Sequence, residues 1–293
     1  MMMPKDWVDI CIQERLDAGE LLSRLDDTTV QGAWEDEGVV HLYWAEDQWN
    51  DEKLLSVQSV LADLVQSSRA IPLSVQRVPS QDWNEAWTRS VKPLRIGRLV
   101  IRPSWERAVL GSQDIEIVLD PKQAFGTGHH ATTRMLLEWL QEGIRGGEQV
   151  LDVGTGSAVL AMAAVKLGAA SAIGVEIDSV AVDCAREYVA LNGLADRIEV
   201  LCGTLADLPQ GRRTTADLVL ANLDRQTVLD LADDLACSAL RGASIMVSGI
   251  LVEQQTEIVD RLSSLGLACV ERREEEGWVA MKFLRPESCD GEA

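Results

Sequence analysis

The run Val150-Leu151-Asp152-Val153-Gly154-Thr155-Gly156-Ser157-Ala158 constrains this chain more than any other stretch. It begins as the short apolar run of a buried parallel strand and breaks into Gly-bearing turn chemistry. Residues 159–167, rich in Ala, Leu and Met, predict a helix closed by Gly168. Glycines let backbone approach a ligand closely, and a helix start aims free N–H groups at it. The next strand, Ala172 to Val175, runs into Glu176. That carboxylate stands about 20 residues beyond the first glycine, the distance at which an acid accepts from ribose hydroxyls. This half of the chain is therefore expected to bind an adenosine-containing cofactor.

The spacing of the glycines separates two cofactor classes. Dinucleotide dehydrogenases use Gly-x-Gly-x-x-Gly, whose third glycine allows close helix packing; here that place holds Val159. S-adenosyl-L-methionine enzymes of the doubly wound kind use acid-x-Gly-x-Gly-x-Gly. Asp152 to Ala158 meets that form with a small Ala in place of the last Gly. A nicotinamide enzyme remains the outside alternative.

Downstream, a helix is expected over 179–191, starting at a Ser179 cap and stopping at Asn192-Gly193. Strands follow over 197–201 and 217–221, then a helix over 225–240, a strand over 244–247 and a helix over 252–265. Two closing strands, 267–272 and 278–284, flank Arg273-Glu274-Glu275-Glu276-Gly277 and read as an antiparallel hairpin. The fold class is α/β, a doubly wound Rossmann-like sheet of the class I methyltransferase kind, because an antiparallel end suits it better than an all-parallel sheet.

Ahead of this, residues 6–78 alternate as strand, helix, strand, strand, helix, strand, the ferredoxin-like α+β order. The helix over 51–66 takes its apolar face from Leu54, Leu55, Val57, Leu61, Leu64 and Val65. The expected division is a small domain over 1–78, an inter-domain segment over 79–110 and a cofactor domain over 111–293. In the middle segment Trp83 and Trp87 stand at i and i+4 on a short helix, the spacing of a pair that packs a joint.

The 293 residues carry a formal net charge of −20, which repels phosphate backbones and makes nucleic acid a poor partner. No apolar run reaches the ~18 residues of a membrane span. The start lacks the order of a secretory signal, and six scattered cysteines form no Cys-x-x-Cys pair, so a cytoplasmic location is expected.

The second informative stretch is Asp120 to Thr133, a polar loop with Phe125-Gly126-Thr127-Gly128-His129-His130-Ala131-Thr132-Thr133 at its end. It runs into a helix over 133–140 just before the Asp152 strand and can close over a ligand as a lid. Adjacent histidines point apart, which argues against a metal there. These nine residues, with Asp152 to Ala158, Gly174-Val175-Glu176-Ile177-Asp178 and Ala221-Asn222-Leu223, resemble the PrmA family, methyltransferases of the large-subunit ribosomal protein at the stalk base. Asp82 to Trp87 and Arg102 to Trp105 are similar to that family's inter-domain segment.

The resemblance implies S-adenosyl-L-methionine as cofactor and lysine or N-terminal amines of a basic ribosomal protein as acceptors. It implies a small N-terminal domain that recognises the substrate. Phe125, Thr133, Gly154, Gly156, Glu176 and Asn222 would contact the cofactor, with Asn222 also orienting the acceptor amine. A Thr beginning a helix also serves as a cap, and an Asn ending a strand as a turn residue. The chain departs from the family at His129-His130-Ala131, where Thr-His-Pro is usual, at Glu176 for Asp, and at Leu223-Asp224-Arg225 beside the acceptor. Those departures leave open two other readings, a methyltransferase of another basic protein and a cofactor-binding module without catalysis.

Overall fold

A computed structural model describes residues 7–14, 16–25, 27–36, 38–65, 71–78, 92–120, 128–208 and 216–287. The chain divides into two compact units, Met1–Val91 and Lys92–Ala293.

In the first unit the order is β1 (Trp7–Ile12), α1 (Ala18–Leu25), β2 (Val30–Asp36), β3 (Val39–Ala45), α2 (Asp51–Val65) and β4 (Leu73–Val78). The strands lie in the order β2-β3-β1-β4, the ferredoxin-like arrangement. The two-residue alternation of β1 and β3 sends Ile10, Ile12, Val40, Leu42 and Trp44 into a core with Leu21, Val57 and Leu61 of the two helices. β2 runs to Asp36, which pairs with Val39 of β3.

The second unit opens with β5 (Leu94–Ile96), β6 (Leu99–Arg102) and β7 (Ile115–Val118), which form a sheet of their own. Residues expected in an inter-domain segment thus belong to this unit, while 79–91, with Trp83 and Trp87, lie outside the described residues. After α3 (Ala131–Gly143) come β8 (Gln149–Val153), α4 (Val159–Leu167), β9 (Ser171–Glu176), α5 (Ser179–Leu191), β10 (Ile198–Cys202) and β11 (Ala216–Asn222). Then follow α6 (Arg225–Asp230), α7 (Ala232–Ser238), β12 (Ala239–Leu251), α8 (Gln255–Ser264), β13 (Ala268–Glu275) and β14 (Trp278–Leu284).

These strands form one sheet in the order β10-β9-β8-β11-β12-β14-β13. All neighbours from β10 to β12 are parallel, and β14 is antiparallel to both β12 and β13. Strand order reverses between β8 and β11, so a crevice opens beyond their carboxyl ends. Alternate residues of β8 feed opposite cores: Val150 joins the layer of α3, α4 and α5, and Leu151 and Val153 that of α6, α7 and α8. Two local expectations are corrected. Asp178, not Ser179, caps α5, its carboxylate accepting from the Val180 N–H at 2.9 Å. The helix expected over 225–240 breaks at Leu231 into α6 and α7, and β12 takes up Ala239 onward by pairing with Ala216. No helix among the described residues is long and apolar enough to cross a membrane.

Candidate cofactor and acceptor site

The turn after β8 is built for left-handed backbone: φ is +68° at Gly154, +53° at Gly156 and +62° at Ala158. The first two are glycine conformations. The third, where the motif's last Gly is replaced, holds an L-residue in a region that costs about 1–2 kcal/mol. The Gly154 and Thr155 N–H groups both donate to the Val175 carbonyl, at 2.8 and 3.1 Å, which pins the turn to the end of β9. There Glu176 is held by three backbone donors. Its Oε2 accepts from the Gly156 N–H at 3.0 Å, and its Oε1 from Ile177 and Asp178 at 2.9 and 3.1 Å.

Beneath the turn lies Asp152, 1% exposed. Its Oδ2 accepts from the Thr155 hydroxyl at 2.6 Å and from the Ala161 N–H at 3.3 Å, while Oδ1 has no hydrogen-bond partner among the described residues. Gly174, facing Asp152 across the β8–β9 pair, makes room for Thr155, whose side-chain atoms would lie 2.9 Å from an added Cβ. Burial pushes the Asp152 carboxyl up to about 6, against the pull of its two hydrogen bonds, and the Glu176 charge adds to the rise. An unfolded Asp titrates near ~3.9, so the folded state holds the extra proton between those values. Stability from this group is therefore fully present at low pH and is lost as pH rises through about 6, a change on the order of 3 kcal/mol. Asp152→Asn is expected to flatten that part of the cofactor-free melting-temperature profile between pH 4 and 7. An unchanged slope in the variant would place the proton elsewhere.

A second group of these residues meets where β11 ends. Asn222 Nδ2 donates to the Thr133 hydroxyl at 3.1 Å across 89 residues of sequence. Thr133 is buried in the first turn of α3 and does not cap it. The cap is His130, whose side chain accepts from the Thr132 N–H and whose ring meets Trp278 edge-on with centroids 5.0 Å apart. Leu223 then folds back onto β12, its N–H donating to the Ser248 carbonyl at 2.9 Å. Asp224 caps α6, taking the Thr227 N–H at 3.1 Å and the Thr227 hydroxyl at 2.5 Å.

Thr133, Gly154, Gly156, Glu176 and Asn222 line one cleft of about 390 Å³. Phe125, expected beside them, lies outside the described residues. Thr204, Leu205, Thr227 and Leu231 also line the cleft and carried no motif; their signal is their place just beyond strand ends or at helix starts. Gly249 was likewise missed. With φ at +87°, it passes so close beneath Leu223 that an added Cβ would lie 2.4 Å from that residue's carbonyl oxygen.

Against this geometry, the model of the family described as Ribosomal protein L11 methyltransferase (PrmA) matches residues 12–286. The chain belongs to that family. Among relatives bearing the name Ribosomal protein L11 methyltransferase, the protein of Desulfitobacterium hafniense is 40% identical over 247 residues, 83% of this chain and 78% of its own length. That of Pelobacter propionicus is 40% identical over 261 residues, 84% and 81% of the two chains. A crystal structure of ribosomal protein L11 methylase from Lactobacillus delbrueckii subsp. bulgaricus matches with a TM-score of 0.60 and 30% identity. It covers 67% of this chain and 98% of its own. This PrmA member is an enzyme, a methyltransferase that uses S-adenosyl-L-methionine. Its residues fit that cofactor. The Gly154 Cα faces Leu223, so that a Cβ would lie 2.3 Å from Leu223 Cδ2, and the cleft volume falls in the range of small-molecule sites.

Proposed function

We propose that this chain works in the cytoplasm and transfers methyl groups to lysine or N-terminal amines of ribosomal protein L11. The observation that carries the reading is the Asn222–Thr133 hydrogen bond, which holds a side-chain amide at the carboxyl end of β11, on the rim of the cofactor cleft. When bound, S-adenosyl-L-methionine supplies an electrophilic methyl on a sulfonium. Gly154 and Gly156 admit the cofactor to the backbone, and Glu176 accepts from its ribose hydroxyls. Thr133 occupies the Asn222 Nδ2, which leaves the amide oxygen to accept from an incoming amine and aim its lone pair. Alignment of this kind supplies up to ~7–11 kcal/mol in favourable intramolecular cases.

The amine must arrive neutral, since an ammonium has no lone pair. The described residues of the cleft wall include no histidine or lysine, so we assign the proton to water. Reference values near ~10.4 for lysine and ~7.7–8.0 for an α-amine make that release harder for lysine. Asp224 at the open edge adds a carboxylate that draws a cationic amine, in keeping with a net charge of −20 and a basic protein partner rather than nucleic acid. The ferredoxin-like unit presents that partner.

Glu176→Ala is expected to weaken S-adenosyl-L-methionine binding by about 10–100-fold, the worth of hydrogen bonds to a charged group. Isothermal titration would show it, and unchanged affinity would remove Glu176 from the ribose. The decisive experiment incubates ribosomal proteins from cells lacking this enzyme with the protein and its cofactor, and reads intact masses. Methyl-sized increments on L11 are expected. Increments on another protein alone would move the substrate, and none anywhere despite cofactor binding would leave a module without catalysis.

A further inference from the structure

The strand pairing of the first unit leaves one face of its sheet turned away from the α1–α2 core. On that face Cys11 of β1 stands directly opposite His41 of β3, and Asp9 precedes Cys11 by two residues on the same side. His41 Nδ1 lies 2.9 Å from Asp9 Oδ2, and Cys11 Sγ lies 3.4 and 3.6 Å from the two ring nitrogens. The sulfur is nearly equidistant from both nitrogens, which puts it over the ring rather than in line with either lone pair. Strand register sets Cys11 opposite His41. The three ligand atoms all lie within 4.8 Å of one another, and among the described residues this is the one such grouping of three histidine, cysteine or acidic side chains.

We propose that Asp9, Cys11 and His41 bind a divalent ion of the zinc type. Bond lengths of ~2.3 Å to sulfur and ~2.0–2.2 Å to nitrogen and oxygen imply tetrahedral edges of about 3.3 Å for N···O and about 3.5 Å for N···S. The N···O separation of 2.9 Å and the N···S separation of 3.4 Å are within a few tenths of an ångström of these, and the sulfur and the carboxylate oxygen lie within 4.8 Å of one another. The donor set selects the ion. A thiolate with an imidazole and one carboxylate suits zinc or cobalt, while magnesium and calcium prefer oxygen alone. Charge also balances: one thiolate and one carboxylate neutralise a dication in a place where Asp9 is 6% exposed.

Without metal the Cys11 thiol is protonated, burial and the Asp9 carboxylate both pushing it up. Coordination forms the metal–sulfur bond and releases that proton to water. Three protein ligands leave a fourth position for water, reached through the His41 side chain, which is 21% exposed. The ion would tie β1 to β3.

The test uses the full chain, stripped with chelator and titrated with Co²⁺. Saturation at one equivalent with a thiolate-to-cobalt charge-transfer band, bleached by Zn²⁺, is expected. Cys11→Ser should remove the band, and His41→Gln should weaken binding by more than ~10-fold. A band that survives Cys11→Ser, or no saturable binding, would overturn the site. Because either variant can destabilise a small sheet, the wild type is also alkylated with and without Zn²⁺. The ion should slow labelling of Cys11 about 10-fold or more while the exposed Cys202 and Cys237 react as before. Equal protection of all three, or of none, would refute the proposal.

Discussion

Gly249→Ala is expected to cost about 2–4 kcal/mol of stability and about 10²-fold in kcat/KM for methyl transfer. Two separate penalties meet at this position. Its φ of +87° is a conformation that L side chains rarely adopt, and the new Cβ would lie 2.4, 2.8 and 3.0 Å from the O, C and N atoms of Leu223. Those are backbone atoms, so no rotamer change relieves the contact. The segment Asn222–Leu223–Asp224 must lift from β12, and the Leu223 N–H bond to Ser248 goes with it. Asn222 then loses its aim. Gly193→Ala is the control, since its φ of +68° is equally left-handed but nothing lies within 4 Å of an added Cβ. That variant should lose only about 1 kcal/mol and keep its rate. Thermal denaturation and steady-state rates of the two variants decide the matter; if Gly249→Ala matched Gly193→Ala in both, the packing beneath Leu223 would not govern the site.

Asn222→Ala is expected to lower kcat about 10²-fold at saturating substrates, with cofactor affinity changed by less than about 3-fold. The amide sits where strand β11 delivers it, and its Nδ2 is committed to Thr133. Removing it leaves the cofactor's glycine turn and Glu176 intact, so the loss should fall on the chemical step. Thr133→Val takes away only the acceptor that orients the amide and should cost about 10-fold. The double variant should be no worse than Asn222→Ala alone, because the two side chains act as one unit. Full kcat in Asn222→Ala would assign the amine's orientation to other groups, and additive losses would separate Thr133 from Asn222.

Much of the molecule was legible in local chemistry. The Asp152 to Ala158 run, the placement of Glu176 on the next strand and the closing hairpin around 273–277 each announce themselves within a few residues. Turn residues and apolar periodicity act over short distances, and that is why these readings hold. Boundaries slipped where pairing overrode propensity. Ala239 and Leu240 continue a helical run by composition yet lie in β12, because Ala239 meets Ala216 on β11. The alternative role of Thr133 as a helix cap does not arise, since His130 reaches the free donor first.

The sequence by itself determined the class of fold, the cofactor type and five of the side chains or glycines that line the cleft. The fold class, the cofactor type, Gly154, Gly156 and Glu176 follow from residue types at short spacing, and Thr133 and Asn222 from the resemblance to the PrmA family. Only the tertiary structure decided which distant residues meet. It brought Asn222 to Thr133, slid Gly249 beneath Leu223, buried Asp152 with one oxygen unpartnered among the described residues, and set Cys11 across from His41. Strand order and register produce these meetings. They are properties of the whole sheet, set by the burial of its two faces, and no local run of residues encodes them.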